Sequence, residues 1–473
     1  MTDDAPLILW FRRDLRLADN PMVTAAAEAG RPVIPVFVHD DVVANTPAAP
    51  RWRWGLGVER FADALEAMGS RLVLRAGPAA EVLTALASET GAADVWWSRL
   101  YDAEARERDD DVSDALGKAR VGAKAWPGHL LFEPWTIQTK SGGPYKVYTP
   151  MWNSVRDRDV PAPEAAPASL RAPETWPESD ALADWDMGAA MDRGAAVVAP
   201  HLVIGEAAAR GRLETFVAER MEDYDRMRDR PGVEGTSGLS ENLTYGEVGP
   251  RTVWHAALAG RDLDELGKGA GTFVKEIVWR EFAYHLLHHF PTLPEKSWRA
   301  GWERFPWRED NEDAEAWRRG RTGMPFVDAA MREMHVTGRM HNRARMIVAS
   351  YLTKHLMTHW RIGHDFFVSH LVDWDVANNA LGWQWAAGCG PDASPFFRVF
   401  NPESQLEKFD PKGAYAGRWI AEGQEDPPEK ALAFYEAVPR SWNLSPEDGY
   451  PDPVVGASEG RERALEAYRA RDF

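Results

Sequence analysis

From Asp373 to Trp385 the chain reads DWDVANNALGWQW, which puts two carboxylates (Asp373, Asp375), two adjacent asparagines (Asn378, Asn379) and three indoles (Trp374, Trp383, Trp385) into thirteen residues. An ordinary core does not place so many polar groups beside so many large rings, because each buried polar group needs a partner. Three other clusters carry chemistry. Gly235-Thr236-Ser237-Gly238-Leu239-Ser240 sets small residues and hydroxyls ahead of a helical segment. Free backbone N–H groups there attract anions such as a phosphate, although Ser and Thr at a helix start also serve as plain caps. Glu276 and Arg280, in EIVWREF, stand four apart on one helical face, as an ion pair or as members of a site. His341-Asn342-Arg343-Ala344-Arg345-Met346 gathers two arginines, an amide and a thioether within about one and a half helical turns, a basic face for solvent or for a ligand.

The elements that must position these clusters fall into two kinds. Leu7 to Phe11, Val33 to Val38, Leu72 to Leu74 and Val95 to Trp97 are short apolar runs bounded by Gly, Pro or charge, and they predict buried parallel strands. Between them Asn20 to Ala29, Trp54 to Met68 and Ala79 to Glu89 show helical spacing. Strands alternating with helices predict a doubly wound α/β domain over residues 1–130. No GxGxxG follows the first strand, so the dinucleotide fingerprint is missing from it. Residues 131–204 are expected to link the domains, because the Pro- and Ala-rich stretch between Val160 and Pro177 suits no regular element. From 205 to 473 the pattern turns helical, as in Ala207 to Arg228, Thr252 to Leu258, Gly271 to Phe290, Pro325 to Thr337 and Asn342 to Trp360. The fold class is thus α/β plus all-α.

Composition narrows the function. The chain has 473 residues, 55 basic against 73 acidic, for a net charge of −18, with 22 tryptophans and one cysteine, Cys389. One cysteine forms no internal disulfide, which points to a reducing compartment. The N-terminal order, acids first and arginines inside a short apolar stretch, is wrong for a signal peptide, and no apolar run approaches a membrane span. A cytoplasmic protein is expected, with no membrane role and no metal centre. The acidic total argues against nucleic acid, yet from Ala316 to Arg361 nine Lys and Arg face only Asp328 and Glu333, a local basic field of the kind that meets phosphates. Indole rings stack on flat ligands and, in series, can carry single electrons.

TSGLSENL, EIVWREF, MPFVDAAMREM, TGRMHNRARMIVASYLTKHL, NNALGWQW and RVFNPESQLEKFD, in that order and after an opening WFRRDLRLADNP, resemble the photolyase/cryptochrome flavoproteins from about Leu7 to about Trp419. Within them the chain is most similar to bacterial enzymes that split cyclobutane pyrimidine dimers in DNA. The resemblance implies an antenna-type α/β domain and a helical domain that holds FAD. Tyr224, Thr236, Ser237, Leu239 and Ser240 would bind the flavin pyrophosphate side, with Phe273 and Arg280 also in the cofactor site. Asn342, Arg345, Asp373 and Asp375 would surround the flavin ring and ribose. Asn379, four before Trp383, would face flavin N5, where an amide can donate or accept.

The lesion pocket follows from the same resemblance. Trp279 and Trp385 would clasp a flipped-out dimer, Glu276 would hydrogen-bond a thymine edge, and Asn342 and Met346 would complete the walls. Photolyases for the 6-4 photoproduct carry a histidine where this chain has Met346. Glu276, Asn342, Met346 and Asn379 are therefore the candidate catalytic residues. Trp383, Trp360 and Trp307 match a tryptophan relay for single electrons. Arg228, Arg343, Arg398 and Lys408 match phosphate contacts that position UV-damaged DNA without reading its sequence.

Some positions depart from the pattern. Arg339 stands where Trp or Tyr is frequent, which would leave that edge more open or more basic, and Phe273 stands where Trp is common. Tyr101-Asp102-Ala103-Glu104-Ala105-Arg106 does not reproduce the Asn-Glu-Arg pattern of folate-binding relatives. A methenyl-folate antenna, a deazaflavin antenna and no second chromophore are all compatible with it. A monomeric repair enzyme is expected. The runner-up is a cryptochrome-type sensor, which would favour a long disordered C-terminal extension, where only some fifty residues follow the last matching block. A plain flavin oxidoreductase would need a nicotinamide fingerprint that the sequence lacks.

Overall fold

A run such as LILWF, apolar at every position, needs cover on both faces, which a parallel sheet between two helix layers provides. The computed structural model, which describes residues 4–392 and 397–473, forms that sheet. Its strands are β1 (Leu7–Phe11), β2 (Val33–His39), β3 (Val73–Ala76), β4 (Asp94–Ser98) and β5 (Gly122–Trp126). Their order is β3-β2-β1-β4-β5, with every neighbouring pair parallel and Leu7 in register with both Val33 and Asp94. The first helices are α1 (Pro21–Ala29), α2 (Asp41–Asn45), α3 (Ala48–Ala67), α4 (Ala79–Thr90) and α5 (Ala103–Ala119). Met22, Val23, Phe61 and Leu65 of α1 and α3 cover Leu7, Leu9 and Phe11 on one face. Leu83, Leu86, Val112 and Leu116 of α4 and α5 cover Ile8 and Trp10 on the other.

The chain then crosses the molecule with α6 (Tyr148–Val155) and α7 (Gly194–Val198) as its longer helical pieces. Between Val160 and Pro177 it forms no helix or strand, and its carbonyls serve the sheet domain instead: Arg171 accepts from the Val33 N–H (2.8 Å) and Glu164 from the Asp19 N–H (2.7 Å). The helical part comprises α8 (Glu206–Glu219), α9 (Tyr224–Met227), α10 (Ser240–Thr244), α11 (Pro250–Leu258), α12 (Lys268–His289), α13 (Glu312–Arg318), α14 (Pro325–Thr337), α15 (Asn342–Ser350), α16 (Trp360–His370), α17 (Val376–Ala387), α18 (Pro402–Phe409), α19 (Ala414–Trp419), α20 (Glu429–Ala437) and α21 (Ala457–Ala470). It has two apolar cores. One joins α8, α11 and α12 to Phe132 and Met151 of the crossing segment and takes Ala377, Ala380 and Leu381 from α17. The other gathers Trp317, Met331, Ile347 and Trp360 and takes Trp383, Ala386 and Ala387 from α17. Among the described residues no helix is long and apolar enough to cross a membrane, and no group of three or more His, Cys, Asp or Glu is placed to hold a metal ion.

The single helical stretch expected from Asn342 to Trp360 is broken. Helix α15 ends at Ser350, a π-turn covers Tyr351–His355, and Met357 turns left-handed at φ 56°. The cause is a backbone exchange with a distant segment, in which Arg308 N–H donates to Met357 O (2.7 Å) and His359 N–H donates to Arg308 O (3.0 Å). His359 then caps α16, its Nδ1 accepting from the Arg361 N–H at 3.1 Å.

Buried ion pairs lock the sheet domain to the helices. Arg53 of α3, wholly buried, donates to Glu247 (2.9 and 2.7 Å) and to Glu241 (3.2 Å). On α12, Glu281 accepts from the backbone N–H groups of Leu131 (2.9 Å) and Phe132 (3.2 Å). Burial pushes the Glu281 carboxyl up to about 7, against the opposing pull of Arg280 and of those two N–H donors. Because its folded value lies above the ordinary 4.5, the native state binds the extra proton, and that stabilisation is full below pH 4.5 and lost as pH rises through 7. Wild type should lose stability relative to Glu281→Gln between pH 5 and 8, by the order of 2–3 kcal/mol. Denaturant unfolding at both pH values reads this, and parallel pH profiles for the two proteins would contradict it.

Candidate functional site

The polar residues of the 373–385 cluster are held by partners from three other elements. Asp373, 4% exposed, accepts from the Ser240 hydroxyl of α10 at 2.6 Å and, with both oxygens, from Arg345 Nη2 of α15 at 2.9 and 2.8 Å. Arg345 Nε also donates to Met340 O at 2.8 Å, which fixes the guanidinium plane. Asp375 caps α17. One of its oxygens accepts from the Asn378 backbone and side-chain amides (both 2.8 Å), and the other accepts from the Tyr284 hydroxyl of α12 at 2.5 Å. Burial first, and then the Asp375 charge, push the Tyr284 hydroxyl well above the ordinary tyrosine range, so it stays a donor. Asn379, half-buried on the next turn, donates to His364 O at 3.3 Å.

In the 235–240 loop Thr236 and Ser237 are half-buried, Leu239 is buried and Ser240 is exposed. The Ser237 hydroxyl accepts from the Leu239 N–H at 3.4 Å, and Arg212 donates to Gly238 O at 2.5 Å. Tyr224 and Phe273 pack with Phe216 in the apolar core, ring centroids 4.6 to 5.6 Å apart, so Phe273 is a core residue on α12. The polar groups of this cluster are the hydroxyls of Thr236, Ser237 and Ser240, the Asp373–Arg345 carboxylate–guanidinium pair and the Asn379 carboxamide. They match the pyrophosphate, hydroxyl and ring-edge chemistry of a flavin nucleotide.

Several predicted pairings differ. Glu276 and Arg280 do not pair with each other. Glu276 takes Arg228 at 2.5 Å, while Arg280, 8% exposed, donates to His129 O (2.8 Å), meets His129 Nε2 (3.0 Å) and lies over the Tyr284 ring. The helix face is shared, but Arg280 sits deeper and points to the crossing segment. Nor is the run from Ala316 to Arg361 a free basic face. Eight of its nine cations are ion-paired: Arg318 and Arg319 with Glu315, Arg321 and Arg332 with Glu422, Arg339 with Glu241, Arg343 with Asp229, Arg345 with Asp373 and Arg361 with Glu303. The acids come from outside the run, which local counting of charge cannot see. Arg339 also donates to His201 O, so the edge it occupies is closed by a network with Glu241, Arg212 and Arg53. The ninth, Lys354, is buried and donates to Arg398 O. Burial pushes its ammonium down to about 7.

Of the residues expected at the lesion, Asn342 is exposed and Met346 half-buried one turn apart on α15, and Trp279 and Trp385 are both half-buried. Trp385 lines a small cavity with Arg299, Trp302, Lys354, Phe397 and Arg398. Lys408, exposed on α18, and Arg398, exposed after the undescribed stretch 393–396, make no ion pair among the described residues, whereas Arg343 lies 2.7 Å from Asp229.

Trp383 and Trp360 are fully buried and Trp307 is partly exposed. The His359 ring lies between the last two, with centroids 5.7 Å from Trp307 and 5.8 Å from Trp360. Trp383 lies directly on the backbone of α16, because a Cβ on Gly363 would sit 2.0 Å from its ring.

Residues 273–470 match the family profile described as the FAD binding domain of DNA photolyase, and residues 7–168 match the one described as DNA photolyase. A deoxyribodipyrimidine photo-lyase from Agrobacterium fabrum is 43% identical over 470 residues, 98% of each chain. The crystal structure of a bacterial class III photolyase from Agrobacterium tumefaciens is similar at TM-score 0.90 and 42% identity, over 99% of this chain and 98% of that one. The Synechocystis sp. PCC6803 cryptochrome is similar at TM-score 0.83 and 25% identity, over 99% and 100%.

Adding a methyl group at Gly363 forces the Trp383 ring or the α16 backbone to move, at a cost of about 1–3 kcal/mol. Gly363→Ala should therefore lower the unfolding midpoint, while Gly211→Ala, on the exposed face of α8 with open space around it, should raise it slightly. Equal midpoints for Gly363→Ala and wild type in thermal unfolding would contradict the contact.

Proposed function

The chain belongs to the DNA photolyase family and is an FAD-dependent enzyme that splits cyclobutane pyrimidine dimers in DNA in the light; we propose that the polar cluster where α10, α12, α15 and α17 meet is its active site. The observation that carries this assignment is the pair of linked polar anchors, Ser240–Asp373–Arg345 and Tyr284–Asp375, that hold Asn379 and its helix from three sides. We divide the chain into an antenna-type domain (1–130), a linker (131–204) and a catalytic helical domain (205–473). The end of the sheet at Trp126 and the start of α8 at Glu206 support that division.

When bound and reduced, FAD supplies one electron to the dimer under blue light and takes it back, with no net redox change. The protein's part is to hold and orient. Thr236, Ser237 and Ser240, with the Leu239 backbone, take the pyrophosphate. The Arg345–Asp373 pair faces the ring and ribose, and Asn379 offers an amide to ring N5. Trp279 and Trp385 take the two apolar sides of the flipped dimer, Glu276 takes a thymine edge, and Asn342 and Met346 fill the walls. Glu276 is held meanwhile by Arg228, so lesion binding exchanges one partner of the carboxylate for another. Trp307, Trp360 and Trp383 offer an inward path for a single electron. Of the four cations assigned to phosphates, Arg228 and Arg343 are already ion-paired, and Arg398 and Lys408 make no ion pair among the described residues.

The test is repair of a short duplex carrying one thymine dimer, followed by recovery of thymine absorbance. Recovery should require blue light and reduced flavin, and Glu276→Ala should slow it without loss of bound flavin. Unchanged repair by Glu276→Ala would overturn the pocket assignment, and photoreduction with no recovery on duplex or single strand would overturn the activity. With two to four phosphate contacts, log K against log salt should fall with a slope of about −2 to −4. A slope of about −4 would show that Arg228 and Arg343 leave their acids for the DNA, and one of about −8 would contradict the four-cation assignment.

A further inference from the structure

Tyr148 belongs to none of the clusters that the sequence singles out, yet it makes the tightest ring contact beside the proposed lesion pocket. It opens α6 in the crossing segment, outside the helical part, and is 7% exposed. Its ring lies parallel to Trp279 of α12, with centroids 3.8 Å apart and planes 3° apart. Free aromatic pairs favour offset or edge-on arrangements over a face-to-face sandwich, so this geometry is imposed by tethers. One tether is the Tyr148 hydroxyl, which donates to Lys275 O at 2.7 Å, one turn before Trp279 on the same helix. Another is Phe282, whose ring meets both others edge-on at 6.0 and 5.7 Å.

Tyr148 is buried and Trp279 is half-buried, so Tyr148 covers the inner face of the indole and leaves the outer face to a ligand. We propose that Tyr148 is a positioning residue for dimer recognition: it fixes the plane of Trp279 on the α12 wall of the pocket. This rests on the assignment of Trp279 to the lesion pocket. An indole already held in its bound orientation gives up little side-chain freedom when the dimer docks. Electron transfer itself does not need Tyr148, so the residue acts on lesion affinity and leaves the yield per bound lesion alone.

The experiment uses the FAD-loaded protein and compares Tyr148→Leu, Tyr148→Phe and Trp279→Ala for affinity to a thymine-dimer duplex and to the undamaged duplex, with flavin absorbance and repair yield at saturating lesion measured on each. Tyr148→Leu should weaken lesion binding about 3- to 10-fold and leave undamaged-duplex affinity, flavin spectrum and saturated repair yield unchanged. Tyr148→Phe, which keeps the platform and loses only the tether to Lys275, should give a smaller loss in the same direction and covers the case in which the leucine variant fails to fold. If Trp279→Ala loses lesion affinity while both Tyr148 variants keep the wild-type ratio of damaged to undamaged binding, the proposal is wrong and the pocket stands. If Trp279→Ala itself keeps that ratio, the pocket assignment falls and takes the proposal with it.

Discussion

Helices α12 and α17 carry apolar side chains on nearly every side, and such helices are stable only where other chain covers them all round. On α12, fourteen of 22 residues are buried. The crossing segment covers one side of it through Phe132, Tyr148 and Met151, α8 and α11 cover another, and α17 closes a third. Helix α17 sits in both apolar cores at once. Asp373 and Asp375, buried at the start of α17, are consequently out of reach of bulk water and must be satisfied by protein partners or by a ligand. That is why Asp373 and Asp375 are gripped from α10, α12 and α15.

The same constraint explains the electrostatics. A chain with a net charge of −18 needs a reason to approach DNA, and a broad basic surface is not the reason, because most of the arginines near the site neutralise acids brought in from distant segments. On the proposed assignment, affinity for the backbone rests on Arg398 and Lys408, which make no ion pair among the described residues, and discrimination rests on Trp279 and Trp385. A weak, sequence-blind attraction combined with a shape-specific pocket suits an enzyme that must scan any sequence for rare damage.

Much of this was legible in the sequence. The β1 to β4 strands, the first helices and the onset of helical chain near 205 follow from apolar runs and their period, and the chemistry-bearing clusters identify themselves by density. What escaped has physical causes. Strand β5 (GAKAW) is an edge strand whose Lys124 reaches back over Trp126, so it lacks the continuous apolar run of its neighbours, and α5 buries only Ala105, Val112 and Leu116 in a highly charged stretch. The break after Ser350 depends on Arg308, more than forty residues earlier. Glu276 found Arg228, and Tyr148 found Trp279, across 48 and 131 residues of chain, and neither spacing carries a periodic signal.

The most direct measurement of the central claim is a crystal structure of the FAD-loaded protein on a duplex with one thymine dimer. The account predicts the flavin ring beside Asn379, with Arg345 and Asp373 still paired, and the extruded dimer between the outer face of Trp279 and Trp385, with Tyr148 unmoved behind it. A dimer left stacked in the duplex, or a flavin bound away from the 236–240 loop and Asn379, would contradict it.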